Sequence, residues 1–204
     1  MDDHPAQEGQ PKRRVRADAQ RSIDTLLSAA AEVFTTSGVD APVREITARA
    51  GVGAGTLYRH FPQRSDLIAA VFRHEVDGCA DDAASLAARR EPVEALTQWL
   101  RRFSGFIATK RGLSAALHSG DPAYDSLPSY FEQRFVPVLG GLLDTAARAG
   151  HVRTDIDPED LLRAVANVTL PAQEDGGHTA RMIALLVDGL RYGAGTGPAE
   201  RPGG

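Results

Sequence analysis

The chain has 204 residues, 42% hydrophobic and 25% charged, with a formal net charge of −4. These proportions belong to a packed globular chain and exclude a disordered polyelectrolyte, and the length leaves room for one ordinary domain or a small one joined to a larger. The acidic balance excludes a uniformly basic surface; yet residues 10–66 hold nine Lys/Arg against six Asp/Glu, whereas residues 67–204 hold fourteen against eighteen, so positive charge is concentrated early.

A single cysteine, Cys79, excludes an intrachain disulfide framework and fits a reducing compartment. With no N-terminal apolar run of signal-peptide type and no 18-residue apolar stretch, the expected location is the cytoplasm, away from membranes.

In chain order, residues 1–16 read as a disordered arm ending in the basic run Lys12, Arg13, Arg14 and Arg16. A first helix is predicted over 17–36 from the helical spacing of Ile23, Leu26, Leu27, Ala30 and Phe34, and Gly38 ends it. A short second helix starts near Pro42, with Asp40 as its expected cap, and ends at Gly51. A third covers 54–60 and stops before Pro62. A long fourth begins at Ser65 and Asp66 and runs to about residue 88. Pro92 opens a fifth, with Leu96, Leu100, Phe103 and Ile107 inward, and a short sixth fits 112–118. The seventh, 128–149, contains Pro137, which should kink it. Asp157 and Pro158 start the eighth, the ninth covers 178–192, and 193–204 read as a flexible tail. The fold class is therefore all-α, with nine helices.

Residues 42–61, PVREITARAGVGAGTLYRHF, carry the chemistry. Two short helices flank a turn at Gly51, Val52 and Gly53, a helix-turn-helix. Ile46, Ala50, Val52, Leu57 and Phe61 form its small core with the first helix. On the outer surface Arg44 has a guanidinium able to pair bidentately with guanine or phosphate. Thr47 and Thr56 offer hydroxyls, while Tyr58, His60 and Arg64 can reach phosphates. The small residues Ala50, Gly53 and Gly55 permit close approach, of helix to helix or of backbone to a ligand.

This stretch resembles the N-terminal domain of the TetR family. That family's I-A-x-x-A-G-V and T-L-Y-x-H-F runs appear as Ile46, Thr47, Ala50, Gly51, Val52 and as Thr56, Leu57, Tyr58, His60, Phe61. The resemblance implies a head over 17–64 that reads double-stranded operator DNA. It places Arg44, Ala54, Gly55 and Thr56 at base edges and Tyr58, His60 and Arg64 at the backbone. Pro42 stands where the family has a hydroxyl, and Thr47 where it has alanine. The thin side-chain set at Ala54 and Gly55 shifts weight to DNA shape.

The resemblance further implies that 65–192 form a helical effector-binding and dimerisation domain. Its aromatics, on the fifth and seventh helices, mark an expected pocket for an unidentified small apolar or amphipathic effector: Trp99, Phe103, Phe106, Ile107, Leu117, Phe131, Phe135 and Leu139. His118, Tyr124, Gln133 and Asn167 are its polar candidates. Leu161, Val165 and Val168, with Met182, Ile183, Leu186 and Leu190, are the expected homodimer seam.

Neither a cofactor nor a metal is implied, since H-E-x-x-H, paired cysteines and G-x-S-x-G are all missing, and an enzyme is not expected. Two alternatives stand beside the ligand-responsive repressor: a redox regulator acting through Cys79, and a helical interaction module that has lost DNA binding. Asp77, Asp81 and Asp82 around Cys79 disfavour a thiolate.

Overall fold

The computed structural model describes residues 10–169 and 176–194. Among these the chain is all-α: α1 (Gln10–Ser37), α2 (Val43–Ala50), α3 (Ala54–His60), α4 (Arg64–Arg89), α5 (Pro92–Gly112), α6 (Ser114–Leu117), α7 (Leu127–Arg148), α8 (Pro158–Val168) and α9 (Gly176–Arg191), with a 3-10 turn at Pro122–Tyr124. The expected disorder of 1–9 and the tail beyond 194 lie outside the described residues. The basic run 12–16 does not precede the first helix but forms part of it, because α1 begins at Gln10.

The helix boundaries have local causes. Gly38 follows α1 at φ 76° and its N–H returns to the Phe34 carbonyl at 3.1 Å. Gly51 closes α2 at φ 67°, after which the Val52 N–H bonds the Thr47 carbonyl at 3.0 Å; both glycines occupy left-handed backbone that a Cβ would strain. The α2 start differs from expectation. Its cap position is Pro42, with no side-chain bond, so Asp40 does not cap it. At α4 the cap is reciprocal between Gln63 and Asp66, with the Gln63 N–H on Asp66 Oδ2 at 2.9 Å. Asp157 opens α8 by accepting from the N–H groups of Glu159 (2.7 Å) and Asp160 (3.2 Å). α7 runs unbroken through Pro137, which therefore does not divide it.

One hydrophobic core runs through the molecule. The head part joins Leu26, Phe34, Ile46 and Leu57, and the body part joins Trp99, Phe103, Phe106 and Phe135, all fully buried. α4 links them by burying Leu67, Val71, Phe72, Val76 and Cys79 along its length. The Trp99 indole N–H satisfies the Cys79 carbonyl at 2.9 Å across the α4–α5 seam.

Head meets body at a close approach. A Cβ on Gly112 would lie 2.6 Å from the Phe34 carbonyl oxygen, so the end of α5 passes the end of α1 with no room for a side chain. Gly105, on the same helix, has nothing within 4 Å of its would-be Cβ. Gly112→Ala should therefore destabilise by about 1–3 kcal/mol through overpacking. Gly105→Ala should stabilise by roughly 0.5–1 kcal/mol through helix propensity. Denaturant unfolding of the two variants checks the opposite signs.

Candidate nucleic-acid interface and effector cavity

The α2–α3 unit turns a mixed face outward. Arg44, Gly53, Ala54, Gly55, Arg59 and His60 are exposed, Tyr58 is 54% exposed, and Thr56 is half-buried. Among the described residues no carboxylate pairs with Arg44 or Arg59, whereas Arg49 on the same helix as Arg44 is paired with Glu32 at 2.5 Å. A Cβ at Gly53 or Gly55 would meet nothing within 4 Å, so the fold itself does not require glycine there. For these two glycines a close helix-to-helix approach within the chain is thereby removed, whereas Ala50 packs against the core. Arg59 was missed on sequence because it lies at the variable position between two motif residues; its exposure next to Tyr58 and His60 adds it to the surface.

Two expected contacts are corrected. Thr47 is buried at 7% exposure and donates its hydroxyl to the Arg44 carbonyl at 3.2 Å, so it serves its own helix. Arg64 is half-buried and turned away from the outer face. Its Nε donates to the Val39 carbonyl at 2.5 Å, its Nη2 donates to the same carbonyl and to that of Ala41 at 2.6 Å, and its guanidinium lies 5.7 Å over the Phe34 ring. Arg64 thus ties the α1–α2 loop to the first turn of α4, with its Nε and Nη2 donors placed on protein carbonyls.

The aromatic residues expected to line a pocket fill it instead. Trp99, Phe103, Phe106 and Phe135 are at most 1% exposed, and Leu139 is fully buried. The rings pack on one another, Phe103 and Phe106 each 5.2 Å from Phe135 and Phe135 4.9 Å from Phe131. Stacked and edge-on pairing of this kind closes the α5–α7 interface.

The cavity lies beside this cluster. Its volume is about 420 Å³, within the range of roughly 300–1,000 Å³ usual for small-molecule sites. Of the expected residues it takes Ile107, Leu117 and Phe131, with the polar candidates His118 and Tyr124. Gln133 and Asn167 are exposed and do not line it. Phe72, Leu127, Val136, Leu162 and Ala166 complete the apolar wall, and Lys110, Glu132, Glu159 and Arg163 bring charge. Two spacings point to these missed residues. Lys110 ends the stripe 103-106-107-110 on α5, and 159-162-163-166 share one face of α8.

Tyr124 also belongs to a second, more open groove of about 530 Å³, walled by Val39, Asp40, Arg64 and Ile68 on one side and Ala115, Ser119 and Asp121 on the other. Burial, then the charge of Asp121, pushes the Tyr124 hydroxyl pKa up, against the opposing charge of Arg64. Behind the cavity α4 is clasped to its neighbours. Tyr130 donates to Asp77 at 2.7 Å, Arg134 reaches Asp77 (2.7 Å) and Asp81 (2.9 Å), and Arg102 reaches Asp82 (3.0 Å).

Cys79 is fully buried, and desolvation pushes its thiol up to about 12, the nearby Arg102 charge notwithstanding. A thiol held protonated and out of solvent is no redox sensor, so that alternative loses its chemistry. Among the described residues no group of three or more His, Cys, Asp or Glu could hold a metal ion, and no helix is long and apolar enough to cross a membrane.

The expected dimer seam divides. Leu161, Val165, Ile183 and Leu190 are buried within the single chain, with Val187 beside them. Met182, Leu186 and Val168 are half-buried. The outward stripe of α9 is instead Met182, Leu185, Leu186 and Gly189, followed by Tyr192, with Leu185 64% and Tyr192 84% exposed. Leu185 and Tyr192 had no place in the seam expected from the sequence, where the apolar residues of α9 were not divided between its two faces.

A helix-turn-helix head on an all-α body with a lateral cavity defines a DNA-binding transcriptional regulator. Residues 26–71 match the family model "Bacterial regulatory proteins, tetR family", and residues 91–192 match "Transcriptional regulator SbtR-like, C-terminal domain". The TetR transcriptional regulator SCO0520 of Streptomyces coelicolor is 38% identical, with 82% of this chain and 97% of that chain covered at a TM-score of 0.70. A TetR transcription regulatory protein of Mycobacterium vanbaalenii is 35% identical, with 87% and 99% covered at 0.69. A Rhodococcus sp. structure described as a putative TetR-family regulator, 18% identical, shares the fold at 0.64, with 84% and 99% covered. No curated protein matches. The chain belongs to the tetR family of bacterial regulatory proteins.

The reassignment of Arg64 has a measurable consequence. Arg64→Ala should lower the unfolding midpoint, because two buried loop carbonyls lose their donors at about 1–3 kcal/mol. The slope of log affinity for DNA against log salt should stay unchanged. A slope reduced by about one, with stability intact, would return Arg64 to the phosphate-contacting set.

Proposed function

We propose that this protein is a homodimeric repressor that binds a palindromic operator and is released by a small amphipathic effector. The observation that carries the DNA-binding part is the unpaired, outward cluster Arg44, Tyr58, Arg59 and His60 around an open, side-chain-poor α3 start at Gly53, Ala54 and Gly55. Arg44 and Thr56 read base edges, Tyr58, Arg59 and His60 hold phosphates, and the bare α3 start lets backbone approach the groove. The protein is no enzyme, and it works in the cytoplasm, where its DNA is. This surface also argues against an interaction module that has lost DNA binding.

The coupling of body to head is supported by the position of α4. The clasp at Asp77, Asp81 and Asp82 fixes its far half, while its near half carries Phe72 in the cavity wall and Arg64 at the head. A ligand against Phe72 and Tyr124 presses on the near half and alters the separation of the two heads. These must lie about 34 Å apart, one turn of DNA, to engage both half-sites.

Selection of bound DNA from a random pool should return a palindrome. Arg44→Ala should weaken binding to it by about 1–3 kcal/mol and relax preference at one position per half-site. Undiminished affinity would remove Arg44 from the reading set, and recovery of no sequence would sink the operator itself.

The dimer reading rests on the α9 stripe, an apolar strip that a second copy related by twofold symmetry would cover. Leu185→Glu should give a folded monomer in sedimentation, because Leu185 takes no part in the chain's own core. Ile183→Glu should instead unfold the chain, because Ile183 is fully buried. A Leu185→Glu variant that still sediments as a dimer would place the interface elsewhere.

A further inference from the structure

The cavity's charges are not equivalent. Lys110 continues the stripe of Phe103, Phe106 and Ile107 on α5, and its ammonium lies 5.3 Å over the Phe131 ring, an aromatic of the cavity wall. Glu132 and Glu159 line the same cavity, yet neither comes within ion-pair distance of Lys110, which has no carboxylate partner among the described residues. Arg163, the other permanent cation of the lining, sits 3.7 Å from Asp160. The two glutamates are exposed, and Lys110 is exposed over part of its surface as well, so what sets Lys110 apart is its place over the Phe131 ring without a carboxylate partner. Burial lowers the Lys110 pKa, and no acidic neighbour offsets it. An aromatic face supplies only part of the stabilisation that a counter-anion gives an ammonium.

We propose that the ligand of this cavity is an amphipathic carboxylate, with its apolar tail against Phe72, Leu127 and Phe131 and its headgroup paired with Lys110. The proposal rests on the reading of the cavity as the effector site and adds the class of effector. A neutral amphipath leaves Lys110 without a counter-charge, and a cationic one places two like charges together over Phe131. A carboxylate meets the basic side chain of the wall that, unlike Arg163, has no carboxylate partner among the described residues. Glu132 and Glu159 also line the cavity and narrow the choice to a single negative charge.

Calorimetric titration of the full chain with octanoate, octan-1-ol and octylamine separates the possibilities, since the three share a tail and differ in charge. Octanoate should bind at least tenfold more tightly than the alcohol, with the amine weakest. Lys110→Met should bring octanoate down to the level of the alcohol while leaving the alcohol within twofold, and Lys110→Arg should restore the preference. Unfolding midpoints of both variants within a few degrees of the parent show that the cavity persists. Equal binding of the three, tightest binding of the amine, or an octanoate preference that survives Lys110→Met overturns the carboxylate assignment alone. Failure of all three to bind overturns it together with the cavity's role as effector site. Selective octanoate binding that leaves labelled operator bound supports the carboxylate assignment and overturns release as the mode of regulation.

Discussion

A guanidinium at the first residue of α4 governs how this molecule is put together. The loop between α1 and α2 leaves the carbonyls of Val39 and Ala41 without helical partners, and Arg64 satisfies both while lying over Phe34. Buried carbonyls left bare cost about 1–3 kcal/mol each, so the loop is firmly tied to α4. The orientation of α2 and α3, and of every side chain they offer to DNA, follows from that tie. Gly112 completes the junction by letting the end of α5 pass against the Phe34 carbonyl.

The rest of α4 divides its length between two kinds of contact. Its near half packs chiefly by the apolar side chains Leu67, Val71 and Phe72, with hydrogen bonds from Arg73 to Ser126 and between His74 and Ser28. Its far half is tied by directional pairs from Asp77 to Tyr130 and Arg134 and from Asp82 to Arg102. Each pair is partly exposed and worth little alone, but several within two turns fix the register of the helix against α5 and α7. The cavity opens beside the near half.

The aromatic cluster explains where the cavity is. Rings at 103, 106, 131 and 135 pair edge-on and stacked until the α5–α7 space is full, and only Phe131 keeps one face outside the cluster. The remaining space is bounded by α6, the 3-10 turn and α8. Lys110 lies where the aromatic stripe meets that space, which gives a mostly apolar cavity a cation without a carboxylate partner among the described residues.

The sequence by itself determined the helical fold, the order of the helices and the helix-turn-helix. These rest on local effects: apolar spacing of 3.6 residues, Gly51 in left-handed backbone, proline at helix starts, and a motif contiguous in the chain. Which face of an apolar helix meets which neighbour is not local, and there only the tertiary structure decided. Ile183 and Leu185 lie two residues apart on α9 and read alike as apolar, yet one is fully buried and the other 64% exposed, because α5 and α8 cover only one side. Trp99 and Phe103 read as a pocket wall and are core, since facing rings close on each other when nothing holds them apart. Arg64 and Thr47 have the chemistry to meet DNA and place donors on carbonyls of their own chain, because a donor takes the acceptor the fold brings nearest. Conversely, Lys110 carries an ordinary surface side chain in sequence and becomes a candidate ligand contact only where α5, α7 and α8 converge.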